Sequence, residues 1–180
     1  RQDGKTKFYG HERIGLEIAR GIAMRLKLSN AELDSLEKMI LWHLRPGYLA
    51  DNERITPRAI FRFFRDAAQE ALSILLLSIA DQRATQGPLT TQESLLQHEK
   101  VTFELIRQYF KRQREKKPKR LVNGYDLMRR FKLNPSPLIG KILKELEELQ
   151  AIGRIKTKKD AYSVAERIIK ENHKVDRKTG

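Results

Sequence analysis

The sequence predicts an all-α protein, and three observations support this fold class. Apolar residues recur every three or four positions in most segments, which is the period of an amphipathic helix. Polar residues typical of helix caps precede several of these segments, and proline or glycine follows most of them. No segment shows the convincing apolar and polar alternation that is typical of a half-buried strand.

The first half of the chain predicts a helical hairpin. Ser29 and Glu32 have the spacing of a capping box, which marks the start of the second helix, and Arg45-Pro46-Gly47 is expected to end it. Thr56-Pro57 is expected to start another helix. The apolar residues Ile14, Ile18, Ile22 and Leu26, with Ala19 and Ala23 beside them, are expected to form one face of the first helix.

The middle of the chain predicts two longer helices. The run from Ala67 to Ile79 is apolar on most faces and indicates a buried central helix. The segment from Thr90 to about Lys116 is expected to form one long helix, which Pro118 ends.

A small helical unit is predicted after the long helix. Asn123 should cap a short helix, Ser136 should cap the next one before Gly153 ends it, and Thr157 with Asp160 should form a capping box for the last. The predicted organisation is a helical domain over residues 1–88, a connecting helix over 89–117, a tail domain over 118–172 and a disordered end over 173–180.

The charge of the chain favours a polyanionic partner. It carries 37 Lys and Arg against 23 Asp and Glu, a net charge of +14, and residues 91–180 hold 23 of those cations with 12 of the anions. Between Arg107 and Lys132 there are 11 basic residues and two acidic ones. Such a concentration attracts nucleic acid. The alternative is a solvated face that keeps the protein soluble.

Other compositional features narrow the function classes. The chain has no Cys, which excludes disulfides, thiolate metal sites and thiol nucleophiles. Its longest apolar stretch is too short to cross a bilayer, so we expect a cytoplasmic protein without membrane contact. Phosphate-binding loops, dinucleotide-binding loops and common hydrolase motifs are also missing from the sequence.

Two histidines are candidates for a metal or phosphate site. His11 and His43 fall at the same end of the predicted hairpin, and imidazoles together with a carboxylate such as Asp81 suit a divalent transition metal. A structural role is the alternative, because His43 near a helix C-terminus is favoured by the helix dipole. His98 and His173 have no partners at useful spacing and are expected to be solvated.

Arg58, Arg62 and Arg65 form one stripe of a predicted helix. The stripe is either a basic solvent face or a phosphate-binding face, and the sequence leaves both open. Together with the basic region that follows, the candidate RNA-binding residues are Arg58, Arg62, Arg65, Lys111, Arg112, Arg114, Lys116, Lys117, Lys119, Arg120, Arg129, Arg130 and Lys132.

An ordered set of segments resembles the tRNA nucleotidyltransferases of bacteria, the CCA-adding and poly(A) polymerase family, in the branch that bears an HD domain. The segments span about residues 5–170: Phe8 to Glu12, His43 to Pro46, Thr56 to Ile60, Leu121 to Met128 and Thr157 to Ala161. The resemblance implies an HD-domain-like helical bundle, a long helix and a small helical tail that hold tRNA or another structured RNA.

The resemblance also implies where the chemistry of such an enzyme lies. In the family, the His-Asp pair of the HD domain and the Mg²⁺-binding catalytic head precede the segment that begins this chain. We therefore expect no catalytic residue and no required cofactor here, and the residues do not tell whether CCA, CC, A or poly(A) is added.

Two alternatives stay open. His11, His43 and Asp81 could belong to a metal-dependent phosphohydrolase of HD type or a fragment of one. The long helix could instead serve as a scaffold or support a homo-oligomer.

Overall fold

A computed structural model describes residues 10–52, 54–84, 90–115 and 118–176, with side chains described through Asn172. These residues form helices and contain no strand, so the all-α prediction is confirmed for the described part of the chain. In chain order the helices are α1 His11–Arg25, α2 Asn30–Trp42, α3 Arg45–Ala50, α4 Pro57–Ala67, the 3-10 turn Ala68–Glu70, α5 Ala71–Ala84, α6 Gln92–Arg114, α7 Gly124–Phe131, α8 Pro137–Ala151 and α9 Lys158–Asp176.

The helices divide into two compact units. The first unit contains α1, α2, α3, α5 and α6, together with the part of α4 that starts at Phe63. The second contains α7, α8 and α9, together with residues 56–62 at the start of α4. The long helix α6 therefore packs within the first unit, and α4 contributes residues to both.

Helix starts follow the predicted capping chemistry in most cases. Three of the described helices begin with a capping box. In each, the cap side chain accepts a hydrogen bond from the N–H of the residue three positions later, and the carboxylate of that residue accepts one from the N–H of the cap. The pairs are Ser29–Glu32, Asn123–Asp126 and Thr157–Asp160. Thr56 Oγ1 likewise accepts from Ala59 N–H at 3.1 Å. Ser136 occupies the N-cap position of α8 as predicted, but its side chain accepts no cap hydrogen bond.

The core of the first unit lies between α5 and α6. Phe63, Ile74, Leu75 and Leu105 are at most 1% exposed. The predicted central helix is therefore present. Only one side of it is buried, because Leu76 and Leu77 face solvent.

The helix α1 packs on α2 through small side chains rather than through its isoleucines. Ile14 is 64% exposed and Ile18 is 59% exposed, whereas Ala23 is 2% exposed. A Cβ at Gly15 would contact Ile40, so this face lies against α2. Of the predicted apolar face, Ala23 is therefore buried while the isoleucines are exposed, because two helices approach closely where side chains are small.

The segment Arg45–Ala50 stops α2 as predicted, but it also forms a helix that the sequence analysis missed. Pro46 lies in the first turn of α3 and is buried. Proline is compatible with that position because its missing N–H has no intrahelical partner there. Gly47 on the same helix faces the ring of His98 on α6, which would lie 3.6 Å from an added Cβ.

The second unit has its own core of aliphatic side chains from all three of its complete helices. Leu127, Ile142, Ala161 and Ala165 are fully buried. Gly153 follows α8 with a φ of +73°, which agrees with the prediction that it ends this helix. The helix α9 ends at Asp176, and residues 177–180 lie outside the described part. Among the described helices, none is long and apolar enough to cross a membrane.

Candidate nucleic-acid interface

The first unit brings His11 and His43 together at one end of the α1–α2 hairpin, as their spacing predicts. Their ring centroids are 5.7 Å apart and the rings are edge to face. His43 Nδ1 lies 2.8 Å from the carbonyl oxygen of Ile40. Because a carbonyl only accepts, this nitrogen donates, and Nε2 of a neutral His43 is left as an acceptor or metal ligand.

A third ligand does not join this pair in the described residues. Asp81 lies within α5 on the exposed side of the helix. The described part of the chain contains no group of three His, Cys, Asp or Glu side chains that could hold a metal ion. Arg83, two residues after Asp81, forms an ion pair with Glu99 at 2.7 Å.

The prediction that His98 is solvated is wrong. Its side chain is buried between α5 and α6, and its Nε2 lies 3.0 Å from Ser78 Oγ. Burial lowers the pKa of His98, and the charge of Asp51 is the largest effect that opposes the shift. The sequence carried a signal for this burial, because His98 and Leu105 lie on one helical face with Val101 and Thr102. The side chain of His173 lies outside the described residues.

The arginines of α4 bind carboxylates, although Arg62 and Arg65 remain exposed. Arg62 Nε donates to both carboxylate oxygens of Glu148 on α8 at 3.0 Å, and Arg58 donates to the same carboxylate and to Glu145. Glu148 is only 2% exposed. Arg65 donates to Asp66 at 2.8 Å.

These arginines keep Glu148 ionised. Burial raises the pKa of Glu148, but hydrogen bonds from Arg62 and Arg58 lower it by more, so its pKa is below the ordinary value. A buried carboxylate is costly unless it is paired and hydrogen-bonded. The start of α4 therefore has a structural role in the second unit, which neither sequence-based interpretation of the arginine stripe included.

A basic surface covers the C-terminal half of α6 in the first unit. We call it the α6 basic end, and its residues are Arg107, Lys111, Arg112 and Arg114. All four are exposed, with Arg107 at 75%. Arg112 lies 4.7 Å above the ring of Phe64, a cation–π contact. Cations in the last turn are favoured by the helix dipole.

A second basic surface surrounds α7 in the second unit. We call it the α7 basic surface, and its exposed residues are Lys119, Arg120, Arg129, Arg130 and Lys132. Their contacts to acidic residues are long, 3.4 Å from Arg120 to Glu147 and 3.8 Å from Arg129 to Asp126. The remaining two candidate cations, Lys116 and Lys117, lie outside the described residues.

Both surfaces have the chemistry of phosphate binding. Exposed Lys and Arg side chains on helices bind phosphate oxygens without reading base sequence. Ion pairs between exposed side chains are worth about 0–1 kcal/mol, so acidic neighbours such as Glu104, 3.3 Å from Arg107, are readily displaced by a polyanion.

Comparison with known proteins identifies relatives of this chain. The family model described as tRNA nucleotidyltransferase domain 2 matches residues 14–164. An A-adding tRNA nucleotidyltransferase from Deinococcus radiodurans is 28% identical over 174 residues, which cover 93% of this chain and 37% of the relative. A CC-adding enzyme from Thermus thermophilus is 28% identical over 159 residues, which cover 88% of this chain and 33% of the relative.

A CC-adding enzyme from Synechocystis is 26% identical over 154 residues, which cover 85% of this chain and 34% of the relative. The chain thus spans about a third of the length of these curated relatives. No solved structure matches the chain significantly. The resemblance inferred from the ordered segments is confirmed by these matches, and the chain belongs to the tRNA nucleotidyltransferase family, in the region described as its domain 2.

Proposed function

We propose that this chain is the RNA-holding region of a tRNA nucleotidyltransferase and that it binds tRNA or another structured RNA through phosphate contacts. The observation that carries the proposal is the presence of two exposed basic surfaces, the α6 basic end and the α7 basic surface, in a chain of this family. As a tRNA-processing protein it would act in the cytoplasm.

Lys and Arg side chains on the surface of a helix are suited to binding the phosphates of RNA. Double-helical RNA is recognised mainly by its shape and by contacts to phosphates and 2′-hydroxyls. Lys and Arg side chains projecting from a rigid helix can follow such a backbone, and neutralising phosphates releases counterions. Arg58 and Arg62 are less suited to it, because they already bind the buried Glu148.

In this proposal, another part of the enzyme catalyses nucleotide addition. This chain spans about a third of the length of the curated relatives, one of which is an A-adding enzyme and another a CC-adding enzyme. We infer that the Mg²⁺-dependent transfer step and the choice of nucleotide belong to those other parts, and that the present region needs no cofactor to bind RNA.

The test is the salt dependence of tRNA binding. Anisotropy titrations of a labelled tRNA at about 50 mM and about 200 mM NaCl should show a steep loss of affinity with salt. Arg107→Gln and Arg129→Gln should each weaken binding and reduce the slope of log K against log salt by about 1.

Lys170→Gln is the matched control, because Lys170 is an exposed cation on α9 that belongs to neither basic surface and is paired with Glu166 at 2.7 Å. Binding that is absent or insensitive to salt, or an equal effect of the control, would contradict the proposal.

One observation favours a second candidate function, a metal-dependent phosphohydrolase, namely the adjacent rings of His11 and His43. Two imidazoles suit Mn²⁺ or Ni²⁺ as ligands. Phosphatase turnover that requires one of these metals and is abolished by His43→Ala would favour this function over RNA holding.

A further inference from the structure

The solvent face of α6 carries a stripe in which apolar and cationic residues alternate. Successive members are four and three residues apart, the spacing that keeps side chains on one side of a helix. At 3.6 residues per turn they fall within an arc of about 80°. We call this set the α6 stripe, and its residues are Leu96, Lys100, Phe103, Arg107, Phe110 and Arg114.

The stripe lies opposite the face that packs into the first unit. The buried residues of α6 are His98, Val101, Thr102 and Leu105. In contrast, Leu96 is 66% exposed, Phe103 is 45% exposed and Phe110 is 48% exposed. The aromatic rings of the stripe therefore do not serve the core.

Charge argues against a second copy of the chain as the occupant. Self-association through the stripe would bring three cations from each chain, Lys100, Arg107 and Arg114, into one interface. Each chain also carries a net charge of +14, which opposes association. An anionic partner with flat apolar groups complements both kinds of residue in the stripe.

Unpaired nucleotides have this combination, because every base has an apolar face and every nucleotide has a phosphate. Seven residues of helix separate Phe103 from Phe110, a distance of about 10.5 Å along the axis. Stacked bases in a duplex rise by only about 3.4 Å per nucleotide. Two rings at this separation therefore suit bases that are splayed apart, as in a loop.

We propose that the α6 stripe binds unpaired nucleotides of the RNA, with Phe103 and Phe110 stacking on bases and the interleaved cations binding the flanking phosphates. Tyr109 supports this geometry, since its ring contacts that of Phe110 edge to face at 5.3 Å between centroids. The inference rests on the proposed function and adds the class of RNA element that the α6 region recognises.

The experiment compares two RNAs with equal numbers of phosphates, a stem-loop with a large unpaired loop and a blunt perfect duplex. The double substitution Phe103→Ala with Phe110→Ala should weaken stem-loop binding by about tenfold or more and leave duplex binding and the salt slope unchanged. Both rings are exposed, so the variant should fold, which circular dichroism checks. Phe103→Trp should preserve binding.

Tyr48→Ala is the matched control, because Tyr48 is an aromatic residue on α3 that is 62% exposed and belongs neither to the stripe nor to either basic surface. It should leave binding of both RNAs unchanged. An equal loss for Tyr48→Ala and for the double variant would overturn the proposal.

The outcomes separate this inference from the proposed function. If both RNAs bind with steep salt dependence and the double variant binds the stem-loop as tightly as the parent, the base-stacking inference is wrong and the proposed function stands. If neither RNA binds, both are wrong. If the double substitution converts a dimer into a monomer in solution mass measurements, a second copy is the occupant and the inference is overturned.

Discussion

Among the described residues, the fold buries two titratable side chains, His98 and Glu148, in different states of charge. Glu148 stays ionised because Arg58 and Arg62 surround its carboxylate. His98 has one hydrogen-bond partner, Ser78, and its Nδ1 is buried without one in the described structure. Burial therefore favours neutral His98, and its lowered pKa makes folding sensitive to pH.

Between about pH 8 and about pH 5.5, we expect the free energy of unfolding to stay level at first and to decrease once pH falls below about 6.5, because of His98. The unfolded histidine has a pKa of about 6.5 and the folded one has a lower pKa, so the unfolded chain takes up the proton first as pH falls. The contribution of His98 is complete above about pH 6.5 and is lost as pH falls toward the folded pKa. Urea unfolding across this range measures it.

His98→Gln should flatten this part of the pH profile, because it removes the buried imidazole. Glu148 does not interfere, since its lowered pKa places its titration below this range. A parent profile as flat as that of His98→Gln would show that burial of His98 does not control the pH response.

At the residue scale, sequence alone predicted local contacts better than distant ones. The approach of His11 to His43 followed from counting residues around one hairpin. The partnership of Arg58 with Glu148 could not be found this way, because the residues are 90 positions apart and meet only through the fold.

At the scale of single helices, caps were the most predictable feature because they depend on residues three apart. The exposed face of α1 was not predictable, since a run of isoleucines at helical spacing does not reveal that the neighbouring helix packs on Ala23 and Gly15 instead. The helix α3 was missed because proline and glycine suggested a loop, although Pro46 fits the first turn.

The two N-caps of the second unit should differ in their contribution to stability. Asn123 accepts from Asp126 N–H at 2.9 Å at the start of α7, so Asn123→Ala should lower the free energy of unfolding by about 1 kcal/mol. Ser136 makes no such bond at the start of α8, so Ser136→Ala should change it by much less. Urea unfolding of both variants provides the comparison, and equal losses would contradict the capping assignment.

At the scale of the whole molecule, the sequence predicted the sign and concentration of charge, and the structure showed how that charge is distributed. Within the described residues, part of the basic excess is paired in the second unit with Glu145 and Glu148, and part is displayed on the α6 basic end and the α7 basic surface. A chain with a net charge of +14 repels itself when folded.

Salt should therefore act on folding and on RNA binding in opposite directions. Raising NaCl from about 50 mM to about 500 mM shortens the Debye length from roughly 14 Å to roughly 4 Å and screens repulsion among exposed cations. The Tm of the free protein should rise by a few degrees, since about 1 kcal/mol corresponds to about 2–4 °C in a chain of this size. Over the same range the affinity for tRNA should fall steeply. Each phosphate contact releases counterions from the RNA, and this release favours binding less when the surrounding salt concentration is high.

Thermal unfolding followed by circular dichroism measures the first effect, and anisotropy titration measures the second. A Tm that falls with salt would show that ion pairs such as Arg58–Glu145 outweigh the repulsion among exposed cations. Arg129→Gln distinguishes the two cases, because the side chain that it removes is 86% exposed. Its ion pair with Asp126 is long, at 3.8 Å, so little attraction is lost. If repulsion dominates, the variant should have a higher Tm than the parent at low salt and the same Tm at high salt, while binding tRNA more weakly.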